Sequence, residues 1–301
     1  MTKILVFAYS AVGHACLDYL IQQKETIVSV VTHKDNPQET LWFPSVAKLA
    51  EAHAIPILTP ENPNDPLFIN HIKDLRPDLI FSFYYRHILA EEILNIPARG
   101  ALNIHGSLLP KYRGRAPVNW AIIHGETQTG ATLHHMVKKL DAGDIVDQIA
   151  FPIGKSDTAG KVMEMMIQAS VQLLIRQLDA LKAGTAPRTP LDLSKGTYFG
   201  GRSAKDGIIN WQQTPQEIHN LIRSQLPYSQ YPGATTTYKG KALRILGSRV
   251  IAGTYQAVPG QIVSLDPLQI TGNDATTVLE ITDYQWIEGK EKLELKGILG
   301  T

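Results

Sequence analysis

The sequence predicts an α/β protein: a doubly wound, mainly parallel sheet covered by helices, followed by a smaller β-barrel domain. Three observations carry that expectation. In the first half, short apolar runs alternate with longer amphipathic segments, the pattern of strands laid parallel and joined by helices. Composition then shifts over Thr185 to Lys195, which holds Pro187 and Pro190 and little apolar periodicity. Beyond it, short strand-like runs are separated by Gly, Pro, Asn and Asp, as in small closed β structures.

Taken in order, Ile4 to Phe7, Ile27 to Val31, Ile55 to Leu58, Leu79 to Phe83 and Ala101 to Ile104 are the strands. Ala11 to Gln23, Ser45 to His53 and Pro66 to Leu75 are the helices between them, with Pro44 placed to start the second. Ala131 to Val137 and Ile145 to Ile153 continue the sheet. Ala159 to Ala183 is a long helix with Met163, Ile167, Val171, Leu174, Leu178 and Leu181 spaced by three and four, closed by Gly184. The methionines of that helix read as core. In the second domain Pro215 to Arg223 is a short helix, and Ala234 to Tyr238, Ala242 to Val250, Gly260 to Val263 and Thr277 to Ile281 are strands. The division expected is 1–190 for the larger domain and 191–301 for the linker and the smaller one.

Composition excludes several classes. At 301 residues each of two domains has enough chain to bury a core, and 44% hydrophobic against 19% charged residues is far from the composition of disorder. With 29 basic and 28 acidic residues there is no global positive field, so nucleic acid and anionic membrane surfaces are not expected partners. Cys16 is the only cysteine, which excludes an intrachain disulfide framework and a Cys-based metal site. The apolar run near Met1 is too short for a signal sequence and no 18-residue apolar stretch follows, which points to a soluble, cytoplasmic protein.

The chemistry concentrates between Asn103 and Pro117. Ligands of doubly wound sheets collect beyond the carboxyl ends of the strands, and residues two apart on a strand share a face. Asn103 and His105 therefore project together at the ligand edge, a neutral amide donor beside a titratable ring. Acyl transfer needs that pair: a donor for the developing oxyanion and a group that carries a proton between nucleophile and leaving group. Alone, His105 reads first as a hydrogen-bonded strand-end histidine and Asn103, more strongly, as a turn or cap residue; together, followed by Gly106 and a loop with Lys111, Arg113 and Arg115, they read as a site. The three cations suit a carboxylate or phosphate, or simply a solvated turn. Phe83-Tyr84-Tyr85-Arg86-His87-Ile88-Leu89 offers two rings either to a flat heterocycle or to the interior. Asp141 lies in a turn, Leu140-Asp141-Ala142-Gly143-Asp144.

Other chemistries lack their residues. The first strand-to-helix turn holds one glycine, not the three of a dinucleotide fingerprint, and no Walker loop occurs. His134 and His135 are neighbours on a strand and face opposite ways, so no metal is expected. Ser107 has no nucleophile elbow around it.

The stretch Asn103 to Pro117 with Leu140 to Ile145 resembles the folate-dependent formyltransferases. Within them Phe81 to His87, Ser107 to Trp120 and Thr132 to Lys138 look most like the formyltransferase half of the bifunctional UDP-4-amino-4-deoxy-L-arabinose enzyme. That relative continues into a decarboxylase domain, so the likeness supports only formyl transfer. The resemblance implies a Rossmann-like first domain and an OB-like barrel second. It implies that Asn103 stabilises the oxyanion, that His105 shuttles the proton, and that Asp141 favours the protonated form of His105. His87, Ile88, Leu89, Arg115, Val137, Lys138, Lys139, Leu140 and Asp141 match positions that contact 10-formyltetrahydrofolate, the implied co-substrate. The implied acceptor is the 4-amine of a nucleotide-linked sugar, UDP-4-amino-4-deoxy-L-arabinose first, a step of lipid A modification and polymyxin resistance. The alternatives are another sugar such as a dTDP-linked one, methionyl-tRNA, or an inactive folate-binding module. Phe199 to Arg202 and Asp206 to Trp211 either close over the sugar-nucleotide or seat one domain on the other.

Overall fold

Continuous burial of Ile4 to Ala8 marks the first strand as the centre of a parallel sheet, covered on both faces. The computed structural model describes residues 1–34, 43–226, 233–287 and 289–301. Contacts divide the chain into two compact units, residues 1–117, 129–151 and 164–199 in the first and 118–128, 152–163 and 200–301 in the second.

The chain runs β1 (Lys3–Ala8), α1 (Ser10–Gln22), β2 (Thr26–Val31), α2 (Val46–Ala52), β3 (Ile57–Leu58), α3 (Pro66–Leu75), β4 (Leu79–Phe83), α4 (Glu91–Leu94) and β5 (Ala101–His105). It continues through β6 (Arg113–Gly114), α5 (Pro117–Ile123), β7 (Gln128–His135), β8 (Ile145–Pro152), α6 (Ala159–Ala183) and β9 (Tyr198–Phe199). The sheet order is β3-β2-β1-β4-β5-β7-β8. Pairing is parallel from β3 to β5 and antiparallel between β5 and β7. The order reverses between β1 and β4, the switch point beside which ligands of such sheets bind.

Local chemistry sets the helix starts. Asp65 accepts from Leu67 N at 2.9 Å ahead of Pro66, and Ser45 accepts from Lys48 N at 3.3 Å, so the cap of α2 is Ser45 and Pro44 lies one residue before it. In α6 the buried line is Val162, Met166, Ala169, Leu173, Leu174, Leu178 and Leu181. Met163, Ile167 and Val171 are only half-buried, so the first half of the stripe is turned from the expected line, with Met166 as its core methionine. The segment after α6 is not a loose linker: Thr189 and Ile145 exchange both backbone bonds, at 2.8 and 2.9 Å, against β8. On one side of the sheet, Leu5, Phe7, Val31 and Ile80 pack with Ile69 and Ile72 of α3, Ile93 of α4 and Leu89.

In the second unit α7 (Pro215–Arg223) precedes β10 (Ala234–Tyr238), β11 (Lys241–Ala252), β12 (Ile262–Leu265), β13 (Leu268–Ile270) and β14 (Thr277–Trp286). The antiparallel order is β10-β11-β14-β13-β12. The last residues bridge its two edges: Gly300 N bonds to Thr237 O at 2.7 Å, and Leu299 N to Gly260 O and Ile262 N to Gly297 O, each at 2.8 Å. Those bonds tie both edges to one C-terminal segment and so close the sheet into a small barrel. Ile209 and Trp211 belong to its core, Trp211 Nε1 donates to Thr236 Oγ1 at 2.9 Å, and Ile209 N bonds to Thr235 O at 2.8 Å, so residues 206–211 are built into the barrel itself. The start of α7 is a reciprocal cap, Thr214 N donating to Glu217 Oε2 at 2.8 Å and Glu217 N to Thr214 Oγ1 at 3.3 Å.

Candidate active site

Register assembles the centre. Antiparallel pairing sets Asn103 opposite His134 and His105 opposite Thr132, so all four side chains share one face at the carboxyl end of β5. Asn103 Nδ2 lies 3.2 Å from His134 Nε2, and His134 Nδ1 lies 2.9 Å from the His135 carbonyl. His105 is 6% exposed, and its Nε2 donates to the Tyr112 carbonyl at 2.8 Å. Nδ1 is therefore the nitrogen left to exchange a proton.

Asp141 reaches this face from the turn after β7. Its Oδ1 is 3.6 Å from His105 Nδ1 and 3.7 Å from His134 Nε2, and its Oδ2 accepts from Gly114 N at 2.9 Å. The turn is held against β7 by His135 N donating to Asp144 O at 2.9 Å. A side chain at position 143 would collide with the His135 carbonyl, which is why the motif carries Gly143. Burial drives the His134 pKa well below the ordinary histidine range, with Asp141 opposing, so that ring is neutral.

The loop 106–112 is fastened from beneath. Thr132 Oγ1 donates to Ser107 O at 2.6 Å and accepts from Leu109 N at 3.1 Å and Gln148 Nε2 at 2.8 Å. Ser107 is fully buried and its hydroxyl caps the Lys111 carbonyl at 2.6 Å, a structural duty. Tyr112 N donates to Thr197 Oγ1 at 2.8 Å, and β6 pairs with β9. A Cβ at position 106 would collide with the buried Tyr84 hydroxyl, so any side chain there would have to displace that ring.

The two tyrosines after β4 turn inward. The Tyr84 hydroxyl is buried, and Tyr85 stacks on His33 at 4.3 Å and packs edge-on against Phe7 at 5.3 Å. The exposed apolar surface comes from neighbours: Ile88 is 55% exposed, Val137 43% and Leu140 36%. Val137 to Leu140 leave the sheet after Met136, whose N–H bonds to Ala101 O at 2.7 Å, so the strand expected to run through Val137 ends at His135. His87, Lys138, Lys139 and Arg115 are exposed, and Lys138 lies 3.6 Å from Glu91. Leu89 is 5% exposed and its side chain belongs to the core.

Sequence reasoning missed Asn64. Its amide donates to Ile88 O at 2.9 Å and accepts from Ala90 N at 2.7 Å, pinning residues 88–90 as a neighbouring strand would. Asn62-Pro63-Asn64-Asp65 carried only a turn signal. His134 was read as one of an adjacent pair without a ligand set. Among the described residues no group of three or more His, Cys, Asp or Glu could hold a metal ion, and no helix is long and apolar enough to cross a membrane.

An amide donor, an imidazole and a carboxylate converge at the ligand edge of a doubly wound sheet, an arrangement suited to acyl transfer. Residues 2–178 match the formyl transferase family and residues 202–299 match the formyl transferase C-terminal domain. The chain belongs to the formyl transferase family. Among solved structures it resembles an N-formyltransferase from Helicobacter canadensis, in complex with folinic acid and dTDP-3-aminofucose, at 21% identity and a TM-score of 0.74 over 93% of this chain and 99% of that one. WlaRD, a sugar 3N-formyl transferase determined with dTDP and 5-N-formyl-THF, gives 21% identity and 0.73 over 96% and 99%. A sugar N-formyltransferase from a Shewanella species gives 22% and 0.64 over 80% and 95%. At these identities the likeness is one of fold.

Proposed function

We propose that this protein transfers a formyl group from 10-formyltetrahydrofolate to the amine of a nucleotide-linked amino sugar, with UDP-4-amino-4-deoxy-L-arabinose as the first acceptor. The observation that carries the reading is the convergence of Asn103, His105 and Asp141, with Asp141 Oδ1 3.6 Å from His105 Nδ1.

The folate, when bound, supplies a formyl group carried on N10 as a leaving amine. Ile88, Val137 and Leu140 offer exposed aliphatic surface suited to a flat ring, and Lys138, Lys139 and Arg115 offer cations suited to the glutamate carboxylates. Leu89, its side chain in the core, contributes backbone, and His87 lies beside it. Asn103 donates an amide N–H to the oxygen that gains charge as the amine attacks. His105 takes the amine's proton at Nδ1 and passes it to the departing nitrogen, its Nε2–H remaining on Tyr112. Asp141 faces the imidazolium that forms in between. The nitrogen–carbon bond to the acceptor forms as the bond to the folate nitrogen breaks, giving a formamide and tetrahydrofolate.

The sugar acceptor is supported by the motifs Ser107 to Trp120 and Thr132 to Lys138, by the sugar N-formyltransferases of like fold, and by a net charge of +1, which offers little to a tRNA. Residues 1–190 carry the chemistry in this reading, which places the protein in the cytoplasm and in lipid A biosynthesis. The test is incubation with 10-formyltetrahydrofolate and a panel of UDP- and dTDP-linked amino sugars, with methionyl-tRNA for comparison. Formylation of UDP-4-amino-4-deoxy-L-arabinose at the highest kcat/KM is the expected result. Preference for a dTDP sugar would overturn the acceptor, and preference for methionyl-tRNA would overturn the class of acceptor.

A further inference from the structure

We infer that His134 is the positioning residue for Asn103: its unprotonated Nε2 accepts one N–H of the Asn103 amide, fixing which way that amide faces and leaving the second N–H for the oxyanion. This rests on the formyl-transfer reading of Asn103 and adds a fourth side chain to it.

The hydrogen-bond chain fixes its own polarity. The His135 carbonyl only accepts, so the His134 nitrogen 2.9 Å from it, Nδ1, carries a hydrogen. Burial holds the His134 pKa down against Asp141 and the bond to the His135 carbonyl, which raise it, while the His105 and His135 rings push it lower. A neutral ring protonated at Nδ1 presents a lone pair at Nε2. The Asn103 atom 3.2 Å away must then be the amide nitrogen. With Nε2 protonated instead, the amide would have to turn its carbonyl to the ring, and the donor would leave the face it shares with His105. Pairing of Asn103 with His134 across β5 and β7 holds the two in contact, and His134 is 1% exposed, so water does not compete for the bond.

Two isosteres separate the positioning role from a structural one. The Asn side-chain nitrogen falls near the place of Nδ1, so His134→Asn keeps the bond to the His135 carbonyl and loses the acceptor for Asn103. The Gln oxygen falls near Nε2, so His134→Gln keeps the acceptor and loses the bond to the carbonyl. With 10-formyltetrahydrofolate and UDP-4-amino-4-deoxy-L-arabinose, His134→Asn is expected to lower kcat about tenfold or more with KM for both unchanged, since an oxyanion donor works only when aimed. His134→Gln is expected to stay within about threefold of the parent kcat while melting at a lower temperature, because it orphans a buried carbonyl. In an Asn103→Ala background, His134→Asn is expected to cost no more than about twofold, as coupled residues do. Nitrogen NMR of the parent imidazole is expected to show the neutral Nδ1-protonated tautomer. The Nε2 tautomer, a fully active His134→Asn, or equal losses in both backgrounds would overturn the inference. Normal turnover of Asn103→Ala alone would overturn the formyl-transfer reading along with it, whereas an inactive Asn103→Ala beside a fully active His134→Asn would overturn this role only.

Discussion

Thr132→Val removes one hydroxyl and keeps nearly the same volume, and the structure says what that hydroxyl holds. It donates to Ser107 O at 2.6 Å and accepts from Leu109 N at 3.1 Å and Gln148 Nε2 at 2.8 Å. Gln148 keeps a second partner, the Leu109 carbonyl at 2.9 Å. Among the described residues the Leu109 N–H and the Ser107 carbonyl have no other partner, and Thr132, Ser107 and Leu109 are all buried, so water does not replace what is lost. Each orphaned buried backbone group costs about 1–3 kcal/mol, and the added methyl recovers a fraction, so roughly 2–5 kcal/mol of stability should go. For a domain of this size that lowers the melting temperature by about 5–15 °C. The same loop carries the Tyr112 carbonyl that fixes His105, so turnover should fall as well. Thermal unfolding of the full chain, with hydrogen exchange at the Leu109 amide, reads the effect. A loss below about 0.5 kcal/mol, the size of an ordinary surface substitution, would refute the reasoning.

Asp141→Asn keeps an acceptor for Gly114 N and removes the charge 3.6 Å from His105 Nδ1; kcat should fall at least about tenfold with the circular dichroism spectrum unchanged, and parent-like steady-state turnover would contradict this. Asn64→Ala frees residues 88–90 from two bonds; KM for 10-formyltetrahydrofolate should rise about five- to thirtyfold with little change in kcat, which initial-rate kinetics will read. Stability should also depend on pH. Burial lowers the pKa of His134, His135 and His219 in the folded state, so below the unfolded value near 6.5 the unfolded chain binds protons that the native chain does not. Stability is then full above about pH 6.5 and is lost as pH falls, at up to about 1.4 kcal/mol per pH unit for each group. Urea denaturation across pH 5 to 7 should show His134→Gln with a shallower loss than the parent; an unchanged slope would contradict the neutral, buried His134.

How much of this the sequence carried depends on the range of the interaction concerned. The strands β1 and β4 were legible because a strand buried on both faces must be mainly apolar, and β2 and β5 because their apolar runs are short and bounded. The common face of Asn103 and His105 followed from a period of two. Helix α7 was legible over Pro215 to Arg223, and the bonds that start it span only three residues. The two-residue strands β6 and β9 were not, since Arg113 and Tyr198 pair across a long separation and neither segment has room for a pattern. The turn at Asp141 was visible, but its distance from His105 is set by the antiparallel return of β7, which no local spacing encodes. His134 escaped for the same reason: its partner Asn103 lies on the neighbouring strand. Tyr84 and Tyr85 stayed open because an aromatic pair reads alike whether it faces a ligand or the core.

The central claim is that formyl transfer runs through Asn103 and His105. Its most direct test is the single-turnover rate of Asn103→Ala and of His105→Ala with 10-formyltetrahydrofolate and the best acceptor of the panel. An oxyanion donor is worth about 2.7–4 kcal/mol and a general acid–base group about 100- to 10,000-fold, so each rate should fall by two or more orders of magnitude while both variants stay folded. A near-normal rate in either folded variant would contradict the account.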